Sequence, residues 1–380
     1  MAADTSGSPT EAADAGEAET VFSGDCFATS EGADGPGDHD AVDGQEQSTS
    51  SVGIRKGNEE ETSQSPTGDA VTEFDWLPPH IGDPGSAAYV SSRVASRAPE
   101  RPDLRANWAV VGGISVLGAS VRGRSHRFYG TPRQDDYQFV SDADEQTLVF
   151  AVADGVSAGS HSHAGASVAV RHGCQLLLGD YQEGQAGADR HATFGTLDWH
   201  GVVEGVARQI VGYGRNQLRN DGSDHRESDL DLEGVADAFA TTLVVGIMAT
   251  RPDKNGNRDL AFVAIGDTSL WLLDGSDWQM LAGRQPAEGA LAMSSVAALP
   301  RLPHTRVEPV TLQLGQSQRL FAMSDGVGDA MASGASPLAR YLATKWSQPP
   351  SIHAFAAHID FARKAYDDDR TVLGIWPEQT

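Results

Sequence analysis

Aspartates stand at the ends of short apolar runs five times over, and that placement constrains the fold of this 380-residue chain more than any other feature. Asp154 directly follows Leu148–Ala153 and precedes Gly155. Asp267 follows Phe262–Ile265, within Ile265-Gly266-Asp267-Thr268. Asp325 follows Leu320–Met323, within Ser324-Asp325-Gly326. Asp135 and Asp136 precede Tyr137–Val140, and Asp368 and Asp369 precede Thr371–Trp376. One Asp-Gly is an ordinary turn, but five elements ending alike imply that their ends share one edge of a layered structure. Carboxylates gathered there repel unless a cation lies among them. Oxygen-only ligation suits hard ions such as Mg²⁺ or Mn²⁺, and the chain shows no Cys or His set that would position zinc.

The intervening pattern predicts an α+β fold. Thr147–Ala153 is a continuous apolar run, as in a strand buried on both faces. From His163 to Leu178 the period becomes helical, with Ala166, Val170, Cys174 and Leu177 on one face. Gly201–Leu218 is a second helix. Strands are expected at Trp108–Val111, around Ile114–Leu117, and at Thr241–Met248, Leu260–Ile265, Leu270–Leu273, Val310–Leu314, Arg319–Met323 and Thr371–Trp376. Helices are expected at Leu338–Lys345 and Ser351–Tyr366, and polar Gly-rich loops at 181–195 and 220–235. Strands, helices, strands, helices and a last strand follow one another, which is a layered α+β order and not a βαβ alternation.

Residues 1–70 hold few large apolar side chains and cannot bury enough surface to offset chain entropy, so disorder is expected there. Residues 1–80 carry 18 acids and 2 bases, a net of −16 within the chain's −25. The expected organisation is an acidic arm and linker over 1–105 and one domain over 106–380. Phe74, Trp76 and Leu77 are either a short docking segment or an ordinary apolar cluster in the linker. So strong a negative field argues against nucleic acid as a partner. Of two cysteines, Cys26 lies in the arm and Cys174 in a helix, so no disulfide framework is expected, which fits a reducing cytoplasm. No signal-peptide pattern heads the chain, and no apolar run approaches the ~18 residues of a membrane span, so no membrane partner is expected.

Six motifs in order carry a family resemblance from about Val111 to Trp376. They are Ser125-His126-Arg127 through Pro132-Arg133-Gln134-Asp135; Val152-Ala153-Asp154-Gly155-Val156; Ala240-Thr241-Thr242-Leu243; Ala264-Ile265-Gly266-Asp267-Thr268; Met323-Ser324-Asp325-Gly326-Val327-Gly328-Asp329; and Asp368-Asp369-Arg370-Thr371-Val372. Together they resemble the protein phosphatase 2C (PPM) family in its bacterial branch, a family of metal-dependent serine/threonine phosphatases. The resemblance implies a four-layer α-β-β-α sandwich of two antiparallel sheets flanked by helices. It implies two Mn²⁺ or Mg²⁺ ions held by Asp135, Asp154, the Gly155 carbonyl, Asp325 and Asp368, with Asp154 bridging, and a third ion at Asp267 and Asp329. A hydroxide shared by the two ions would attack phosphorus in line. Arg127 or Arg133 would bind the phosphate. Phosphorylated proteins are the implied substrates and a Ser/Thr protein kinase the implied partner.

The chain departs from the family pattern at four places. Asp369 replaces the usual Asn, Val156 stands where some members have a general-acid His, the spacing before Gln134-Asp135 differs, and Gln279–Pro300 lacks the Asp-His pair often found there. His161 or His163 would be substitute acids, although a loop His is more often solvated. A nucleophilic hydrolase is disfavoured, because no Gly-x-Ser-x-Gly elbow occurs and neither Cys has a catalytic context. A non-catalytic module of the same fold, binding phosphoproteins or a kinase, is the other alternative.

Overall fold

All seven residues of the run Thr147–Ala153 are buried, but on two different sides. Val149, Ala151 and Ala153 pack on helices, while Leu148, Phe150 and Val152 pack on a second sheet. A strand apolar on both faces needs cover on both, and the fold provides it. The computed structural model of the chain describes residues 78–85, 93, 101–186, 193–220, 230–283 and 298–377.

One sheet has five strands: β3 (Asp136–Ser141), β4 (Thr147–Ala153), β5 (Leu243–Ala249), β6 (Arg258–Ile265) and β9 (Val310–Leu314), in the order β3-β4-β5-β6-β9. The other has six: β1 (Leu104–Val111), β2 (Ile114–Val121), β7 (Ser269–Asp274), β8 (Asp277–Ala282), β10 (Gln318–Met323) and β11 (Arg370–Pro377), in the order β1-β2-β11-β10-β7-β8. Every pairing is antiparallel. Phe150, Val244, Phe262, Leu320, Leu373 and Ile375 meet between the sheets.

Helices α2 (Ser162–Ala186), α3 (Trp199–Asn220) and α4 (Leu232–Phe239) cover the outer face of the five-stranded sheet. Helices α5 (Asp325–Met331), α6 (Pro337–Lys345) and α7 (Ile352–Ile359) cover that of the six-stranded sheet, where Trp346, Phe321 and Trp376 pack together. The architecture is the α-β-β-α sandwich expected. A further short helix, α1 (Arg124–Tyr129), lies in the connection from β2 to β3.

Several boundaries differ from the sequence reading. α2 continues to Ala186, into the segment read as loop, because Tyr181 packs against Phe194 and outweighs the helix-weakening glycines. α4 occupies 232–239 within and beyond the other expected loop; Asp231 caps it by accepting from the Gly234 N–H at 2.9 Å. α7 ends at Ile359, so Tyr366 is not on its buried face; Tyr366 stacks beneath Arg363. β1 begins at Leu104. His80 forms a bridge to Ala362, and Arg101 and Arg105 reach Asp136, all from within the segment read as arm and linker. Cys26, Phe74, Trp76 and Leu77 and most of Gln279–Pro300 lie outside the described residues.

Candidate metal centre

Strand register alone brings the carboxylates to one end of each sheet. In the five-stranded sheet Asp136 pairs with Ala153 and Leu243 with Ile265, so Asp135, Asp154 and Asp267 leave it on the same side. In the six-stranded sheet Met323 pairs with both Val372 and Ser269. That sets Asp325, Asp368 and the Asp267-Thr268 crossover at one end. Asp325 also opens α5, with Ser324 as the residue preceding the helix.

Hydroxyl groups fasten these ends. The Asp154 carbonyl accepts from the Thr242 N–H at 2.8 Å and from Thr241 Oγ1 at 2.9 Å. The Asp154 N–H donates to Thr242 Oγ1 at 3.0 Å, and that hydroxyl also meets Thr268 Oγ1, at 2.5 Å. On the other sheet the Thr371 N–H donates to Ser324 Oγ at 3.0 Å. The small-residue-Thr motif thus fixes the backbone that presents Asp154, a role its residue types alone did not disclose.

The carboxyl groups raise one another's pKa. Asp135 is 1% exposed; burial and the charges of Asp369, Asp368 and Asp325 push it up to about 8. Burial followed by Asp135, Asp325 and Asp368 drives Asp154 well above the carboxylate range. Asp325 is pushed up to about 7 by burial and by Asp368, with Asp267 and Asp329 contributing. Asp368 is raised by burial and Asp369. All seven expected aspartate and glycine positions therefore lie at or beside one cluster, with Asp329 on its exposed rim.

This donor set fits a hard cation. Gln134 Oε1, Asp135 Oδ2 and Asp325 Oδ1 are buried acceptors with no hydrogen-bond partner. Buried acceptors without donors are costly, and a cation satisfies them. Gly155 leaves its neighbours room: a Cβ there would lie 2.8 Å from the Ser162 carbonyl oxygen and 3.0 Å from that of Gln134. Only glycine permits so close an approach of carbonyls beside the Asp154 carboxylate.

The two candidate phosphate-binding arginines are engaged elsewhere. Arg133 is 1% exposed and donates to Ser120 Oγ, the Asp135 carbonyl and the Pro102 carbonyl. Arg127 faces Asp360 at 3.5 Å. His163 is buried, and burial and Arg101 push its pKa down to about 4, so it carries no proton to give at neutral pH. His161 stacks on Phe239 with ring centroids 5.0 Å apart.

Two features of the site went unforeseen. His126 brings an imidazole to it: potential ligand atoms of His126, Asp368 and Asp369 lie within 4.8 Å of one another. It sits inside the opening motif, but nothing in its sequence context pointed inward. The second is Asp136, buried yet held ionised. Burial raises its pKa, and Arg105 and Arg101 more than reverse that. Ser167 Oγ adds a hydrogen bond at 2.6 Å. Asp136 is thereby a structural anchor beside the ligand Asp135. A cleft of about 510 Å³ lined by Phe194, Asp259, Glu308 and Thr311 opens at the far end of β6 and takes no part.

The sequence pattern described as protein phosphatase 2C matches residues 122–353, more than half the chain. The matched span takes in Asp135, Asp154, Asp267, Asp325 and Asp329 and stops short of Asp368. Among curated proteins none matches the chain. Among solved structures, the chain is similar to the phosphatase domain with a regulatory-domain fragment of SpoIIE from Bacillus subtilis, at 15% identity and TM-score 0.41 over 72% of this chain. It spans 64% of that chain, under two thirds. It is also similar to the S. agalactiae serine/threonine phosphatase (13% identity, TM-score 0.41, 70% of this chain and 100% of that one). A third is the catalytic domain of the serine/threonine phosphatase PstP in complex with two manganese ions (17%, 0.41, 69% and 97%). No helix among the described residues is long and apolar enough to cross a membrane.

Proposed function

The chain belongs to the protein phosphatase 2C family, and from that premise we propose that it hydrolyses phosphoserine and phosphothreonine in proteins, using two Mn²⁺ or Mg²⁺ ions. One observation carries the reading: buried, mutually repelling carboxyl groups surround acceptor oxygens that have no donor. Positive charge among them relieves that repulsion and satisfies the oxygens. Asp135, Asp154, the Gly155 carbonyl, Asp325 and Asp368 would hold two ions, and Asp267 with the exposed Asp329 would hold a third more weakly. When bound, the ions supply an acidified water as nucleophile and positive charge for the phosphoryl oxygens. The protein's part is orientation. Thr241 and Thr242 fix Asp154, Ser324 fixes the start of β11, and Arg101 and Arg105 hold the strand that begins beside Asp135. Arg127, the more exposed of the two arginines, would be the one to bind the phosphate.

A weakly catalytic or inactive module that binds phosphoproteins or a partner kinase is the second reading. The engagement of both Arg127 and Arg133 with other groups favours it. We place the protein in the cytoplasm, in keeping with the buried free thiol of Cys174. The deciding experiment is hydrolysis of p-nitrophenyl phosphate and a phosphothreonine peptide in Mn²⁺, Mg²⁺ or EDTA, with calorimetry of metal binding on the same samples. Turnover lost in EDTA and restored by Mn²⁺ supports the enzyme. Metal binding without turnover supports the module, and turnover surviving exhaustive chelation sinks the two-metal reading.

A further inference from the structure

Resting on the assignment of Asp135 and Asp368 as metal ligands, we propose that His126 and Asp369 form a positioning pair that sets the separation of those two ligands. Asp369 is 1% exposed, and N–H groups converge on it from both ends of the β2–β3 connection. The Gly123 N–H donates to Oδ1 at 2.6 Å, and the Gln134 N–H donates to Oδ2. His126 Nδ1 stands 2.9 Å from Oδ1. One carboxylate therefore ties Gly123 and Gln134, near the two ends of the β2–β3 connection, and the helix between them, to the start of β11.

The position of this tie is what matters. Gln134 is the residue before Asp135, and Asp369 is the residue after Asp368. The Asp369 N–H donates to Asp368 Oδ1 at 2.8 Å, and His126 Nε2 lies 3.8 Å from the same oxygen. The two segments lie so close that a Cβ on Gly123 would sit 2.3 Å from the Asp368 carbonyl carbon. His126 is itself fixed through its own carbonyl, which accepts from Arg122 Nη2 at 2.9 Å, from the Thr131 N–H at 3.1 Å and from the Gly130 N–H that ends α1.

Asp369 thereby acts as an anchor, with both its oxygens accepting N–H groups from the β2–β3 connection. An asparagine here would offer one acceptor oxygen, and its amide NH₂ would face the N–H of either Gly123 or Gln134. The replacement singled out in the sequence thus belongs with His126: the carboxylate accepts what an amide could not, and the imidazole lies against it as a charge partner. Groups that orient metal ligands from behind change metal affinity by roughly 10–100-fold when removed.

The test compares full-length wild type with Asp369→Asn, His126→Gln and His126→Gly. Mn²⁺ affinity is measured by calorimetry, alongside melting temperature in EDTA and kcat and KM for p-nitrophenyl phosphate at saturating Mn²⁺. Asp369→Asn and His126→Gln should bind Mn²⁺ about tenfold or more weakly, with kcat recovering at saturating Mn²⁺. Imidazole added to His126→Gly should restore Mn²⁺ affinity and leave wild type unchanged, which a merely structural role would not produce. Wild-type Mn²⁺ affinity in the variants, or failure of imidazole to restore it, overturns the pair. If Asp369→Asn does not fold, the His126→Gly rescue decides. A wild type that binds Mn²⁺ but hydrolyses nothing refutes the phosphatase reading, and the pair then stands or falls on the calorimetry alone.

Discussion

Asp154, leaving β4, and Asp325, opening α5 on the opposite sheet, face each other closely enough that Asp325 adds to the rise in the pKa of Asp154 that burial begins. Without a cation, then, each sheet presents a carboxyl group to the other across the edge of the sandwich. Replacing either by asparagine removes a negative charge from that cluster. Asp154→Asn and Asp325→Asn should melt at or above the wild-type temperature in EDTA, and each should lower phosphatase turnover by orders of magnitude. Turnover like wild type in either variant would remove that residue from the site.

The same carboxyl groups fix the pH dependence of the metal-free protein. Asp135 and Asp325 are raised to about 8 and about 7 in the folded chain, from the ordinary 3.8. Between those limits the folded state binds more protons than the unfolded one, so stability must fall as pH rises. His126, also raised, acts in the same sense. His163, pushed down to about 4, acts oppositely, but its contribution is complete by about pH 6.5. In EDTA the melting temperature should therefore decline from about pH 6.5 to about pH 8. In excess Mn²⁺ the trend should reverse, because ligation requires ionised carboxylates. Metal at about 100 times its Kd adds about 2.7 kcal/mol. A melting temperature in EDTA that climbs over this window would contradict the assignment.

Truncation separates the arm from the domain. A chain starting at Pro78 should keep its melting temperature, since residues 1–77 are acidic and poor in large apolar side chains. A chain starting at Ala106 should not. It loses the first two residues of β1, and with them the Arg101 and Arg105 partners of Asp136, which is 5% exposed. Leaving a buried charge unpaired costs about 3–5 kcal/mol. Thermal unfolding of the two truncations is the measurement, and equal stability would return the boundary to residue 105.

What the sequence disclosed and what it hid divide along physical lines. β4 and β11 were legible because a strand covered on both sides must be apolar throughout, and Asp154, Asp325 and Asp368 were legible because a carboxylate at the end of such a run has no packing reason to be there. β1 was read from Trp108 onward because Leu104 and Ala106 are exposed and Arg105 interrupts the pattern, so its first half carries no core signal. α4 was hidden in an acidic stretch whose three buried residues, Val235, Ala236 and Phe239, are too few to show a period. His126 and the Asp136 anchor depend on contacts across 30 to 250 residues of sequence, which no local pattern encodes.

The two arginines can be told apart by which quantity each variant changes. Arg133 holds Ser120, the Asp135 carbonyl and the Pro102 carbonyl from a fully buried position. Arg133→Gln strands these acceptors, each worth about 1–3 kcal/mol when buried without a partner. It should lower the melting temperature markedly, and activity should fall with the folded fraction. Arg127 is partly exposed, and its contact with Asp360 at 3.5 Å is a long one. Such a pair contributes about 0–1 kcal/mol, so Arg127→Gln should melt near wild type. If the Arg127 guanidinium swings to meet the substrate phosphate, its loss should raise KM for a phosphothreonine peptide about tenfold, the effect of roughly 1.4 kcal/mol of lost binding. Steady-state kinetics at saturating Mn²⁺, with melting temperatures on the same preparations, resolve the two cases. An unchanged KM in Arg127→Gln would leave phosphate recognition to the metal ions and strengthen the case for a module that binds more than it turns over.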